Sequence, residues 1–230
     1  MANLSHRNDR TERMDDPDFP PVDYDRCLAD LERVNRLTLT HRPTLTWLDR
    51  VTANLPPGAK VSILDVGYGH GDLLRAMAAW SARRRLDARL EGIDLNPRAA
   101  ARAATHGGLI AYRTGDVFAF TPDPSPDFIV SSQFTHHLAD PDLVRFIRWM
   151  EANSTKGWFV SDLHRTAYAY YGFRILCRVA GWHRIVREDG TASIARSFRR
   201  ADWQRLLDEA RIDARIEPHL ASRLCVARLK

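Results

Sequence analysis

The chain has 230 residues, 44% of them hydrophobic, with a formal net charge of +5; that is enough for one sizeable core, and no composition break marks a second. No run approaches the 18 or so consecutive apolar residues of a membrane span, and the first residues hold no apolar segment of signal-peptide type, so a cytoplasmic location is expected. Cys27, Cys177 and Cys225 are far apart and odd in number, which excludes a disulfide framework and a cysteine-based zinc site and points to no metal.

Residues 1–22 are polar, charged and proline-containing, with Asp9, Glu12, Asp15, Asp16 and Asp18 mixed among the basic residues, and read as a flexible arm. Over residues 23–50 Leu28, Leu31, Val34, Leu37 and Leu39 recur at helical spacings and Pro43 opens a further helical piece, predicting a helical cap segment. Asn35 and Arg36 fit solvent-facing positions of that segment more simply than a reach into a pocket. From residue 51 strands are expected near 61–66, 89–94, 109–113, 127–132 and 157–162, alternating with helices near 71–84, 97–106 and 140–152. Such alternation implies an α/β fold, a parallel sheet with helices on both faces. A helix at 201–210, a strand near 212–217 and a strand at 223–228 complete it.

Residues 163–200 exceed what a crossover needs. Tyr168, Tyr171, Ile175 and Val179 share one helical face, and the segment holds eight arginines against Glu188 and Asp189. This suits a solvated amphipathic helix, or a substrate cap with its aromatic face on an acceptor pocket and its arginines toward water, an anionic group or a lipid surface. Elsewhere basic residues are spread rather than massed, and no RRM or KH signature is present, so a nucleic-acid partner is not expected.

The chemistry concentrates at the predicted strand ends. Val61 to Leu74 joins a buried strand to a helix through Gly67, Gly69 and Gly71, preceded by Asp65, with Tyr68 and His70 in the variable slots. Glycines there allow left-handed backbone and close ligand approach. A dinucleotide turn wants G-x-G-x-x-G/A and a pyrophosphate on the helix N-terminus, but here the third glycine comes one residue early and Asp72 would oppose an anion. S-adenosylmethionine carries a sulfonium and an ammonium and no phosphate, so an acidic turn suits it better than NAD. Asp94, followed by Leu95, ends the second strand, where a carboxylate can accept two ribose hydroxyls. Gly115-Asp116-Val117 follows the third, and Ser132-Gln133-Phe134-Thr135-His136-His137 leaves the fourth.

In this order the motifs resemble those of class I S-adenosylmethionine-dependent methyltransferases over about residues 45–230. The resemblance implies a Rossmann-like doubly wound sheet of about seven strands, mostly parallel with an antiparallel last strand, and S-adenosyl-L-methionine as cofactor. It implies cofactor contacts from Asp65, Gly67, Tyr68, Gly69 and Gly71 at the methionine end, Asp94 and Leu95 near the ribose, Asp116 and Val117 at the adenine, and Ser132 and Gln133 beside the methyl group.

Methyl transfer is mostly positioning, but a hydroxyl acceptor must also lose its proton, a task suited to histidine. The candidates are His136, His137 and His164; His137 is favoured, its neighbour His136 being expected to point elsewhere. No Asn-Pro-Pro-aromatic motif follows the fourth strand, against the amino-methylating enzymes, and no carboxylate cluster suggests a magnesium-dependent catechol site. Residues 31–36, 161–165 and the tyrosine-rich helix after them resemble bacterial O-methyltransferases of phenolic lipid biosynthesis. That implies a small phenolic acceptor and peripheral membrane contact through the cap, with an RNA methyltransferase or a non-catalytic cofactor-binding module as the alternatives; the sequence leaves the oligomeric state open.

Overall fold

Unbroken apolar runs make strands that are buried on both faces, and such strands pair in parallel under two layers of helix. In a computed structural model, which describes residues 3–16, 18–104 and 110–230, these runs form β1 (Lys60–Val66), β2 (Asp87–Asp94), β3 (Ala111–Thr114), β4 (Phe128–Ser132) and β5 (Gly157–Leu163). With β6 (Arg215–His219) and β7 (Arg223–Leu229) they make one seven-stranded sheet in the order β3-β2-β1-β4-β5-β7-β6. The first five strands are parallel, and β7 runs antiparallel to both β5 and β6. The expected strand start at Leu109 and the end of the expected helix 97–106 lie outside the described residues; the helix itself is α4 (Pro97–Ala104).

One sheet face is covered by α5 (Asp140–Asn153) and α8 (Arg200–Ala210), whose Phe146, Ile147, Trp203 and Leu206 pack on Ile129, Trp158 and Val160. The other face carries α2 (Arg42–Val51) and α3 (Asp72–Arg84), with Trp47, Leu74, Met77 and Trp80 against Ile63, Phe128 and Phe159. Each fully buried side chain of this size contributes about 1.5–3 kcal/mol, so these layers fix the strand ends firmly.

A third, smaller cluster lies over those ends. It joins α1 (Pro21–Leu37) to α7 (Arg184–Arg196) through Phe19, Cys27, Val34, Ile185 and Val186. α6 (Ala167–Val179) packs on α7 so closely that a Cβ on Gly190 would lie 2.2 Å from the Phe173 ring. Two expectations change here. Ile175 and Val179 point outward, 63% and 82% exposed; Tyr168, though 81% exposed, still keeps an edge on the hollow under α6 as expected, while Ala169 and Cys177 are buried and Phe173 and Leu176 half-buried. α6 is apolar on most of its circumference, so periodicity alone does not choose which face turns inward. Leu37 and Leu39 are likewise exposed at the end of α1.

The arm also departs from its composition. Leu4 and Phe19 are buried, and the Asn8 N–H donates to the Ala195 carbonyl at 3.0 Å. Arg165, 1% exposed, donates to the carbonyls of Leu4 and Ser197, each at 3.1 Å. Arg7 crosses to the Arg196 carbonyl at 2.8 Å and sits over the Phe198 ring. The segment is held by buried guanidinium-to-carbonyl bonds rather than by an apolar face, a mode that leaves no hydrophobic periodicity to read.

Candidate active site

The cofactor side is built from chain-local geometry. Gly67, Gly69 and Gly71 all have positive φ, at 73°, 53° and 70°. A Cβ on Gly67 would strike the Phe134 ring at 2.6 Å, whereas the space above Gly69 is open. The Gly69 N–H donates to Asp94 Oδ2 at 2.8 Å and the Asn96 N–H to Asp94 Oδ1 at 2.9 Å, so Asp94 braces the turn and keeps lone pairs for a ligand. Asp65 is 1% exposed and its Oδ1 has no hydrogen-bond partner; Tyr68 Oη and Ser132 Oγ are also buried without one. Burial, then the charges of Asp72 and Asp94, push the Asp65 carboxyl well above the usual carboxylate range. Leu95 lies on open surface at the end of β2, 73% exposed. Asp116 is exposed and caps a short 3-10 turn through the Phe118 N–H at 2.9 Å, with Val117 buried beneath it.

Asp72 is a clasp. It accepts from Asn35 Nδ2 at 2.8 Å and His41 Nε2 at 3.1 Å. Burial pushes its pKa up, but the His41 bond and charge, with the Asn35 bond, hold it below the usual range. Asn35 Oδ1 in turn accepts from Gln133 Nε2 at 3.0 Å. Asn35 therefore reaches the site, contrary to the simpler expectation, whereas Arg36 is exposed and pairs back to Glu32 at 3.7 Å.

The other half of the site is assembled from distant segments. A cavity of about 300 Å³ lies under α1, α6 and α7, with Leu31, Val34, Phe173, Leu176 and Val186 as its apolar wall. Asn35 and Gln133 line the side toward the glycine turn, and Glu12, Asp189 and Arg223 add charged groups. A second hollow of about 550 Å³, lined by Trp47, Phe159 and Cys225 among others, includes none of the turn residues.

Neither His136 nor His137 lines the cavity; Glu12 does, in front of them. The expectation that the two rings diverge fails: on the 3-10 turn Thr135–His137 they lie 4.3 Å apart, both with Nε2 toward Glu12 Oε1, at 3.4 Å and 3.7 Å. Consecutive side chains of a 3-10 turn leave it about 120° apart, and here both rings turn back toward the one carboxylate of Glu12. Behind His136, Asp162 is fully buried and bonds Nδ1 at 2.7 Å. Burial pulls the His136 pKa down, but the charge and hydrogen bond of Asp162, with those of Glu12, raise it to about 9. Burial raises the Glu12 pKa, but the His136 bond and the charges of both imidazoles bring it down to about 2. His164 is elsewhere: it forms a bridge with Phe198, and burial, then Arg199 and Arg165, lower its pKa. Among the described residues, Glu12, His136 and His137 are also the one trio whose ligand atoms lie within 4.8 Å, close enough for a metal ion, a grouping that sequence spacing does not suggest.

Glu12, Asp162, Asp189 and Arg223 were not singled out as site residues by sequence reasoning. Asp162 carried a usable signal, a charge inside an otherwise apolar strand; Glu12, Asp189 and Arg223, which opens a strand that also holds Arg228, carried none. The profile of a family described as methyltransferase domain matches residues 38–211. The chain belongs to that family. Its fold is shared with the plantazolicin methyltransferase BpumL in complex with SAH, at 17% identity and a TM-score of 0.67, over 89% of this chain and 77% of that one. It is shared too with magnesium protoporphyrin IX methyltransferase (ChlM) from Synechocystis PCC 6803 with bound SAH, at 15% identity and a TM-score of 0.57, over 94% and 90%. The CurJ carbon methyltransferase matches at 13% identity and a TM-score of 0.57, over 83% of this chain and 54% of that chain. No curated protein matches the sequence.

Proposed function

We propose that this methyltransferase transfers a methyl group from S-adenosylmethionine to a hydroxyl of a small phenolic acceptor with an apolar tail. S-adenosylmethionine is the cofactor. The residues present fit it: Asp65, Tyr68 and Ser132 keep buried oxygens without a hydrogen-bond partner, the backbone at Gly69 faces open space, and Asp65, Asp72 and Asp94 suit a cationic ligand with no phosphate. Asp65 is assigned the methionine ammonium, Asp94 the ribose, Leu95 and Val117 the faces of the adenine and Asp116 its amine; Gly67, Gly71, Tyr68, Ser132 and Gln133 shape the remaining wall.

When bound, the cofactor supplies a methyl group on a sulfonium, already electrophilic. The chain's own residues do the rest. The observation that carries the acceptor assignment is the apolar cavity opening beside Asn35 and Gln133, with one carboxylate, Glu12, backed by imidazoles. An apolar body packs against Phe173 and Leu176 and turns its hydroxyl to Glu12. As the oxygen attacks, its proton passes to the Glu12 carboxylate that faces the cavity and from there to His137 Nε2 behind it. With a pKa of about 9, His136 is already protonated at neutral pH and holds Glu12 in place instead. Exposed Arg174 and Arg178 beside Ile175 and Val179 give the outer face of α6 the composition of a surface that meets anionic lipid. The test is mass detection of methyl ether formed from S-adenosylmethionine and a series of 4-alkylphenols; a panel that yields no ether, with the cofactor bound, rejects the reading.

A further inference from the structure

The cavity holds one charge that the methyl-transfer scheme leaves unused. Arg223 opens β7, paired across from Leu163 of β5, and is 2% exposed. Its Nη2 donates to Thr40 Oγ1 at 2.6 Å, while Nε and Nη1 are buried with no acceptor at all. A guanidinium is the side chain least able to escape this situation by losing its proton. Burial lowers its pKa, partly opposed by the Asp162 charge, to about 10, so it remains a cation at neutral pH.

The nearby carboxylates do not serve it. Asp162 already takes four donors: His136 Nδ1 and the Leu163 N–H on Oδ1, Thr135 Oγ1 and the His136 N–H on Oδ2. Asp189 accepts the Arg13 and Met14 N–H groups, each at 3.0 Å, and Glu12 accepts from Ser193 Oγ at 2.7 Å and faces the two imidazoles. Each of these acids has its partners, whereas two of the buried cation's nitrogens have none. Leaving donors of a charged group unmet out of water is costly, and Thr38 on the cavity wall meets only Nη2, at 3.5 Å.

We propose that Arg223 is the anchor for an anionic oxygen group of the acceptor, so that the substrate class is an amphiphilic acid: an apolar body that carries, besides the hydroxyl turned to Glu12, a carboxylate or a second, ionised phenol oxygen that pairs with the guanidinium. This rests on reading the cavity as the acceptor pocket. It goes further in making charge, and not only apolar fit, the basis of selection. A guanidinium–carboxylate pair formed out of water discriminates strongly against a neutral isostere, because the neutral ligand leaves the donors unpaired.

Binding tests this without any methyl transfer. Calorimetric titration of the full-length protein with 4-pentylbenzoate and with neutral 4-pentylbenzamide should give the benzoate at least ten-fold tighter binding. In Arg223→Gln, which keeps a donor for Thr40, that preference should vanish while the benzamide affinity stays as it was, and Arg223→Lys should keep part of it. A 4-pentylphenol arm, titrated on both sides of the phenol's own pKa, separates the two sources: a gain confined to the ionised form assigns phenolate, and no gain assigns carboxylate. Equal affinity of the wild-type protein for benzoate and benzamide, or no benzoate binding, overturns the proposal and leaves the guanidinium to water. Because the readout is affinity, it can succeed where ether formation fails, or fail where ether formation succeeds.

Discussion

The two halves of the site differ in how they are encoded. On the cofactor side, Asp65, the three glycines and Asp94 lie within 30 residues of chain, and backbone geometry does most of the work. On the side we read as the acceptor pocket, Glu12, Asn35, Gln133, Leu163, Asp189 and Arg223 come from the arm, α1, the loop after β4, β5, α7 and β7, and only packing brings them together. A site built from a strand–turn–helix unit tolerates variation elsewhere, whereas one assembled from six segments depends on each of them and can change specificity through any.

Four perturbations sharpen that contrast. The largest effect should be on stability, at the buried pair under the acceptor side. His136→Phe leaves Asp162 without its charged partner, a loss of about 3–5 kcal/mol for a broken buried pair, read by urea unfolding. The pH dependence has a definite sign. The His136 pKa is raised from 6.5 to about 9, so its contribution is complete below pH 6.5 and is lost as pH rises through 9. The Glu12 pKa is lowered from 4.5 to about 2, so its contribution is complete above pH 4.5 and is lost as pH falls through 2. The melting temperature should therefore be highest between pH 4.5 and 6.5 and decline toward pH 9, and His136→Phe should lose the alkaline part of that decline. A wild-type curve flat from pH 6 to 10 would refute the pairing.

Next comes the rate. Glu12→Gln and His137→Ala should each lower turnover by roughly a hundred-fold with S-adenosylhomocysteine affinity unchanged, and the deficit should shrink for phenols acidic enough to ionise unaided. Dialysis against a chelator should leave the wild-type rate where it was; a loss reversed by added zinc would reassign the trio as metal ligands. On the cofactor side Asp94→Ala should weaken S-adenosylhomocysteine binding by about ten-fold to a hundred-fold, the loss of about 1.5–3 kcal/mol of charge-assisted hydrogen bonding. Unchanged calorimetric affinity in a folded variant would remove Asp94 from the ribose. The smallest effect is per methylene: an alkyl tail in the cavity should gain up to about 0.8 kcal/mol for each buried CH₂. Phe173→Ser with Leu176→Ser should flatten that slope, whereas Tyr171→Ser with Ile175→Ser, on the outer side of α6, should not.

The same contrast explains what the sequence disclosed. The strand positions and the glycine turn were legible because apolar runs and glycine spacing are local signals, whereas the antiparallel end of the sheet followed from the family resemblance. Asn35 was read as a surface polar residue because nothing adjacent to it says that Asp72 and Gln133 lie opposite. The inward face of α6 was only partly read: Tyr168 does line the cavity, but Ile175 is as apolar as Phe173 and Leu176, and only the close seat of Phe173 against Gly190 decides between them. Glu12 sits in a run whose composition says arm, and nothing in that run marks its partners, His136, His137 and Ser193.

The central claim is that the cavity under α1, α6 and α7 receives the acceptor with its hydroxyl at Glu12. A crystal structure of the protein with S-adenosylhomocysteine and a 4-alkylphenol tests it most directly. The account predicts the phenol oxygen within hydrogen-bond distance of the Glu12 carboxylate and the tail against Phe173 and Leu176. A phenol bound in the hollow between Trp47 and Cys225, or on the outer face of α6 with the cavity filled by water, would contradict it.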